Sequence, residues 1–306
     1  MSEQISPFLV KPLPQGTRQR LIGWTAAVMT VVIWSSYFLS LRAGALSGLS
    51  KEELLLMRYA APGLLLVPVF VRALPAYRYT PWLYLLGISL GSGVGFFLLS
   101  AMGMARANVM QGSTLIPGAA PLFVTLLAVT LFKQTLPQQR LLGLGFVLAG
   151  VLTLVFSAMT QFNTQLIEGQ LLLLGCALMW AIFTVSVRQA DLQPLQVAAL
   201  VTVPNGTIIG IWVLLSGDLT LSAHLSTGFL LTQLLVQGIL VGILSGWFYA
   251  TAIRRLGAEN TSAIGSMTPV IASVFAFLIL QESLEFISLL GLCLTSFGVY
   301  KSARAQ

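Results

Sequence analysis

Residues 21–41, LIGWTAAVMTVVIWSSYFLSL, form a run without a single charge between Arg20 and Arg42. About 20 apolar residues suffice for a helix to cross the hydrocarbon core, so this run reads as a membrane span. It also recurs. Gly23, Trp34 and Arg42 reappear as Gly169, Trp180 and Arg188, each 146 residues on, and Pro121, Gly143 and Gly150 reappear as Pro269, Gly291 and Gly298, each 148 residues on. Gly, Trp, Arg and Pro shape and anchor membrane helices, so agreement at these positions points to a duplication of the chain.

Working outward, the remaining runs place spans at about 54–71, 82–102, 109–132, 141–158, 169–187, 196–215, 230–253, 261–280 and 286–299. The second opens behind Ser50 and Glu53, at capping-box spacing. This gives an all-α integral membrane protein of ten transmembrane helices. Residues 1–20 are a cytoplasmic tail, 21–158 and 169–300 two five-helix repeats, 159–168 the loop between them, and 301–306 a second cytoplasmic tail. An odd number of spans per repeat inverts the second copy against the first, which places a central cavity between them at the bilayer midplane. No cleavable signal is evident in the polar, Pro-containing start.

Composition agrees. Of 306 residues 57% are hydrophobic and 8% charged, against roughly 25% charged in soluble domains. With the N-terminus inside, twelve of the sixteen Lys and Arg residues fall on the inner side, against Arg42, Lys51, Arg58 and Arg106 outside. This positive-inside bias puts both termini in the cytoplasm and the protein in the inner membrane. Cys176 and Cys293 lie in apolar runs of different halves and read as small buried hydrophobes. His224 is the only histidine, so neither a His-based metal site nor a His-dependent enzyme can be assembled. The absence of a GxxxxGK[ST] loop argues against nucleotide as the driving force. The net charge of +7 is a topology signal, with no nucleic-acid partner implied. No cofactor is expected; the partners are the lipid bilayer and a small-molecule substrate. Monomer and homodimer both remain open, since small residues such as Gly143, Gly145 and Gly150 permit close contact within or between subunits.

The segment VVIWSSYFLSLRAG at 31–44, the Arg58-Tyr59 pair, the Pro121 region and GAENTSAIGSMTPVIASVFAFLILQESL at 257–284 resemble the drug/metabolite transporter superfamily, EamA type. In that repeat the fourth helix carries a Pro followed 13 residues later by Glu, the spacing of Pro269 and Glu282; Pro121 is followed at that spacing by Gln134 instead. The resemblance covers nearly the whole chain from Leu21 onward. It implies a small-metabolite exporter with N- and C-termini inside and a cavity between the repeats.

Candidate cavity residues are the aromatics Trp34, Tyr37, Phe96, Trp180 and Trp247, the polar residues Gln111, Ser113, Asn205, Gln237, Ser262 and Ser266, and Pro117, Pro121 and Pro269, whose missing N–H groups would kink apolar helices. Packing is the competing role for each. Arg58, one turn inside its span, is within reach of Glu53, of a neighbouring loop or equally of a substrate carboxylate at the outer gate; it and Glu282, at a span end, are gate or coupling candidates. Arg42 and Arg188 read as headgroup anchors. No carboxylate lies in the central part of any span, so facilitated diffusion by alternating access is favoured over proton exchange through Glu282. The expected cargo is an amino acid or related amphipathic compound. A multidrug or toxic-cation exporter is the alternative, and a membrane-embedded sensor or enzyme the remote one.

Overall fold

A computed structural model of the chain describes residues 17–216, 222 and 224–303, except the side chains of 258, 259, 262 and 263. The connection between the expected spans at 196–215 and 230–253 lies partly outside these residues. Among the described residues all regular structure is helical, and nine helices are long and apolar enough to cross a membrane: α1 Thr17–Ser47, α2 Lys51–Tyr79, α3 Trp82–Arg106, α4 Val109–Phe132, α5 Gln138–Thr160, α6 Thr164–Ala190, α7 Pro194–Ser216, α8 Thr227–Leu256 and α10 Phe286–Ala303. Between the last two, α9 consists of Ala258–Gly265 and the apolar Thr268–Leu280.

Helix starts follow local chemistry. Ser50 and Glu53 form a reciprocal capping box at α2, and Asn108, Asn163 and Ser226 each accept a backbone N–H in the first turn of α4, α6 and α8. At the other end, Lys133 and Gln281 terminate α4 and α9 in the same left-handed conformation, at φ 52° and 55°. They stand 148 residues apart, so the duplication shows in the backbone as well.

Several expectations about the spans need correction. The run at 159–168 is mostly helix, because α5 continues to Thr160 and α6 begins at Thr164. The last helix reaches Ala303 rather than 299. Two spans expected to be continuous are interrupted, α3 at Ser92-Gly93 and α9 at Ser266-Met267. Pro269 therefore does not kink a helix interior. It lies in the first turn of the segment opening at Thr268, where no intrahelical N–H bond is required. Pro117 and Pro121 are inside the uninterrupted α4. Cys293 is exposed on α10, whereas Cys176 is buried.

Without a hydrophobic drive between helices in lipid, close backbone approach at small residues carries much of the packing. The seam between α5 and α10 shows this. A Cβ on Gly150 would stand 2.7 Å from the Gly291 carbonyl oxygen, and one on Gly298 would stand 2.6 Å from the Gly143 carbonyl oxygen. The duplicated glycines thus pair reciprocally within one chain. The α2–α7 seam repeats the device: a Cβ on Gly63 would approach the Thr202 carbonyl oxygen to 2.8 Å, and one on Gly206 the Tyr59 carbonyl oxygen to 2.6 Å. Gly23 likewise meets the end of α8 at Arg255 and Leu256, and Gly169 the end of α3 at Arg106 and Ala107.

An ion pair of 3.1 Å joins Arg106, closing α3, to Glu168 in the first turns of α6. Arg42, near the end of α1, donates to the carbonyls of Met104 and Ala105 at the same end of α3. Helix α6 therefore starts at the face where α1 finishes.

Candidate functional site

Trp34 and Trp180, equivalent under the duplication, meet edge to face with ring centroids 6.4 Å apart. Each extends the contact into its surroundings. Trp34 packs on Tyr249 of α8 at 5.2 Å, and Trp180 on Phe96 of α3 at 5.8 Å and on Phe183 at 4.9 Å. Five rings from α1, α3, α6 and α8 thus form one cluster in which both halves take part. Aromatic contacts of this geometry are worth roughly 0.5–1.5 kcal/mol each beyond burial. The rings also offer flat apolar and π surface to a ligand.

The helix interruptions border this cluster, and backbone groups beside them take side-chain partners. At the break in α3, the Tyr59 hydroxyl donates to the carbonyls of Ser92 and Gly93 at 2.9 and 2.7 Å. Asn205 of α7 serves the other side: its Oδ1 accepts from the Val94 N–H at 3.0 Å and its Nδ2 donates to the Ser89 carbonyl at 3.2 Å. At the break in α9, the Ser35 hydroxyl, next to Trp34, donates to the Thr268 carbonyl at 3.1 Å. Irregular backbone at membrane depth is tolerated when neighbouring protein satisfies it in this way.

One turn from Trp34, Tyr37 is buried and donates to Ser100 Oγ at 3.1 Å. Arg58 lies over the rings of Tyr37 and Tyr59, its guanidinium carbon 6.0 and 5.5 Å from the centroids. Its Nη1 donates to the Gln237 carbonyl at 3.2 Å. Both residues belong to π-helical stretches, Leu56–Ala60 in α2 and Leu234–Leu244 in α8, a feature common at functional sites. The approach of Arg58 to Glu53 expected from spacing does not form. The Glu53 carboxylate instead accepts from the Ser222 backbone N–H at 2.7 Å, from the Ser222 hydroxyl, and from Ser50. Ser40 of α1 links the polar stretch of α8, donating to Gln233 Oε1 and accepting from Gln237 Nε2.

Other candidates lie elsewhere. Trp247 is 45% exposed, on the face of α8 opposite that carrying the buried Ala252 and Leu256. Its neighbour Tyr249 is the residue that reaches Trp34. Nothing in the run Trp247-Phe248-Tyr249 distinguishes these rings by period. Gln111 sits in the first turn of α4 and accepts from Gln170 Nε2 at 3.2 Å, while the Ser113 hydroxyl bonds its own helix at Met110. Ser266 falls in the α9 interruption. The side chain of Ser262 lies outside the described residues.

Glu282 is held at a helix end. Its Oε1 pairs with Arg42 Nε at 2.8 Å and its Oε2 accepts the Val109 N–H at 2.8 Å. Arg42 is therefore an ion-pair and carbonyl partner rather than an anchor reaching for headgroups. The twin position, Gln134, borders a shallow pocket with Phe132, Val185 and Arg188.

Comparisons with known proteins agree with this picture. The chain is 24% identical over 289 residues to an "Uncharacterized transporter" of Archaeoglobus fulgidus, covering 91% of this chain and 96% of that protein. It is 23% identical over 284 residues to the "Probable amino-acid metabolite efflux pump" of Escherichia coli, covering 90% and 92%. A solved structure described as "Crystal structure of protein" superposes with a TM-score of 0.59 at 18% identity over 94% of this chain and 98% of that one, a likeness of fold. The EamA-like transporter family matches twice, over residues 21–156 and 167–303. This multi-pass membrane protein is therefore a transporter belonging to the EamA-like transporter family.

Proposed function

We propose that the chain is a secondary exporter that moves a small amphipathic metabolite, an amino acid or related compound, out of the cytoplasm by alternating access. The carrying observation is the meeting of Trp34 with Trp180 at 6.4 Å. A duplicated residue that touches its own copy lies on the axis relating the copies, where a transporter of inverted repeats holds its cargo.

In this reading ten helices span the membrane as two inverted five-helix repeats, 21–158 and 169–300, with α9 crossing as a broken helix. The reciprocal glycine contacts and the start of α6 beside the end of α1 support the inversion. The cavity would be walled by Trp34, Tyr37, Phe96, Trp180 and Tyr249, with Asn205, Gln237, Ser266 and Pro269 at its edges. The hinge would lie at the interruptions of α3 and α9 and at Pro117 and Pro121. Both termini would be cytoplasmic, in the inner membrane, by the distribution of Lys and Arg.

An amino-acid-like cargo is supported by the aromatic walls and by the name of the Escherichia coli relative. Facilitated diffusion is favoured over proton coupling because the Glu282 carboxylate already has a cation and an N–H as partners. The test is efflux from proteoliposomes preloaded with amino acids, nucleosides and aromatic cations, with and without a pH gradient. Release of amino acids without a gradient is expected. Release only with the gradient would overturn the facilitated mechanism, and release of cations alone would favour the multidrug alternative. No release of any solute would sink the exporter reading.

A further inference from the structure

Arg58 presents a problem of physical accounting. It is 7% exposed, lies within a membrane span, and has no carboxylate partner among the described residues. Its contacts are the Gln237 carbonyl, the Tyr59 side chain and the faces of the Tyr37 and Tyr59 rings. The Nε hydrogen has no acceptor, and neither does Gln237 Oε1 have a donor, on the residue whose carbonyl Arg58 contacts. A buried, uncompensated charge is expensive, and intramembrane charges persist chiefly where they serve a function.

A purely structural explanation would be that Arg58 is needed to satisfy the Gln237 carbonyl. The other half of the molecule argues against that. There α7 meets α3 as α2 meets α8, and a side chain of α7 likewise reaches a carbonyl of α3, that of Ser89. The donor is the neutral amide of Asn205, at 3.2 Å. An amide does the structural job, so the positive charge at Arg58 is surplus to it.

We infer that Arg58 binds the carboxylate of the transported solute, with Trp34, Trp180 and Tyr249 taking its apolar part; the assignment rests on the exporter reading and narrows its cargo to carboxylates. The Arg58 guanidinium leans on the ring of Tyr37, one helical turn from Trp34, so headgroup and apolar part can be met together. A carboxylate oxygen would fill the open Nε donor and neutralise the buried charge. Gln237 Oε1 would accept a hydrogen bond from a donor on the same solute. An amine without a carboxylate would face a fixed positive charge with no acid nearby.

The test uses the full-length protein in nanodiscs, reading tryptophan fluorescence during titration with phenylacetate, L-phenylalanine or phenethylamine. The two carboxylates are expected to bind at least about tenfold more tightly than the amine, the scale of one charge-assisted hydrogen bond. Arg58→Gln keeps an amide donor for the Gln237 carbonyl and should remove that preference; Arg58→Lys should retain part of it. Equal binding of amine and carboxylates to the wild type, or binding of none, overturns the inference whether or not the variants fold. An unchanged preference in folded Arg58→Gln does the same. Flux of the same probes in proteoliposomes separates the two readings: transport indifferent to the carboxylate leaves the exporter standing and removes Arg58 from it, whereas no flux of any probe, or of the wider solute mixture, removes the exporter reading.

Discussion

The ends of α9 and α4 are copies of one piece of backbone with different chemistry. Glu282 follows α9 with its N–H on the Ala276 carbonyl at 3.3 Å, and Gln134 follows α4 with its N–H on the Ala128 carbonyl at 3.2 Å. Each lies near a duplicated arginine, Arg42 in one case and Arg188 in the other. At the Arg42 end a carboxylate and a guanidinium tie four helices, since the pair also reaches the carbonyls closing α3 and the first N–H of α4. At the Arg188 end the carboxylate is replaced by an amide. The ion pair of Glu282 with Arg42 is thus the chemical difference between two ends of matching backbone.

The largest test of that asymmetry is Arg42→Ala. It leaves Glu282 largely buried without its cation and should lower stability by up to about 3 kcal/mol, read as thermal unfolding in detergent. Arg188→Ala should have a clearly smaller effect, and an equal one would dissolve the comparison. The exchange Arg42→Glu with Glu282→Arg should recover part of the loss but not all of it, because the carbonyls of Met104 and Ala105 would lose their donor. Glu282→Gln makes the two ends chemically alike. It should cost about 1–2 kcal/mol, the scale of a charge-assisted bond. It should also speed labelling by an impermeant maleimide at a cysteine replacing Ser40, two residues inside Arg42, while unchanged labelling would mean the pair does not gate access. The smallest effect is expected from Gln134→Glu, which puts a carboxylate at the position twinned with Glu282. A gain of at most about 1 kcal/mol, falling in high salt, would show in the same thermal assay.

Much of this architecture was legible in the sequence because membrane helices announce themselves by missing charge, and because Trp34 and Arg42 kept their counterparts. The α2–α7 relationship was not. Its matching glycines, Gly63 and Gly206, are 143 residues apart, since α1 runs to Ser47, five residues past Arg42, while α6 ends at Ala190, two past Arg188, and an offset fixed on the first helix misses them. The interruption of α3 was hidden because Ser92-Gly93 is an ordinary pair in an apolar run, and only the packing of Tyr59 and Asn205 shows that its backbone is cared for from outside. The depth of Arg58 was underestimated for a related reason. Counting from the capping box placed it one turn inside, near Glu53, but a count cannot show that Glu53 turns to Ser222 while Arg58 turns to Gln237.

The glycine seam between α5 and α10 carries a consequence for ancestry. Gly143 meets the backbone of α10 near Gly298, and Gly150 meets that near Gly291, so one face, copied once, fits its own copy. Such a face is what two separate half-length chains would need to associate in opposite orientations, before any link between them existed. In the inverted-repeat reading proposed above, the seam corresponds to an interface between two half-length chains. It also makes the two halves mutually binding in evolution, because a bulkier residue on either copy must be answered by the other.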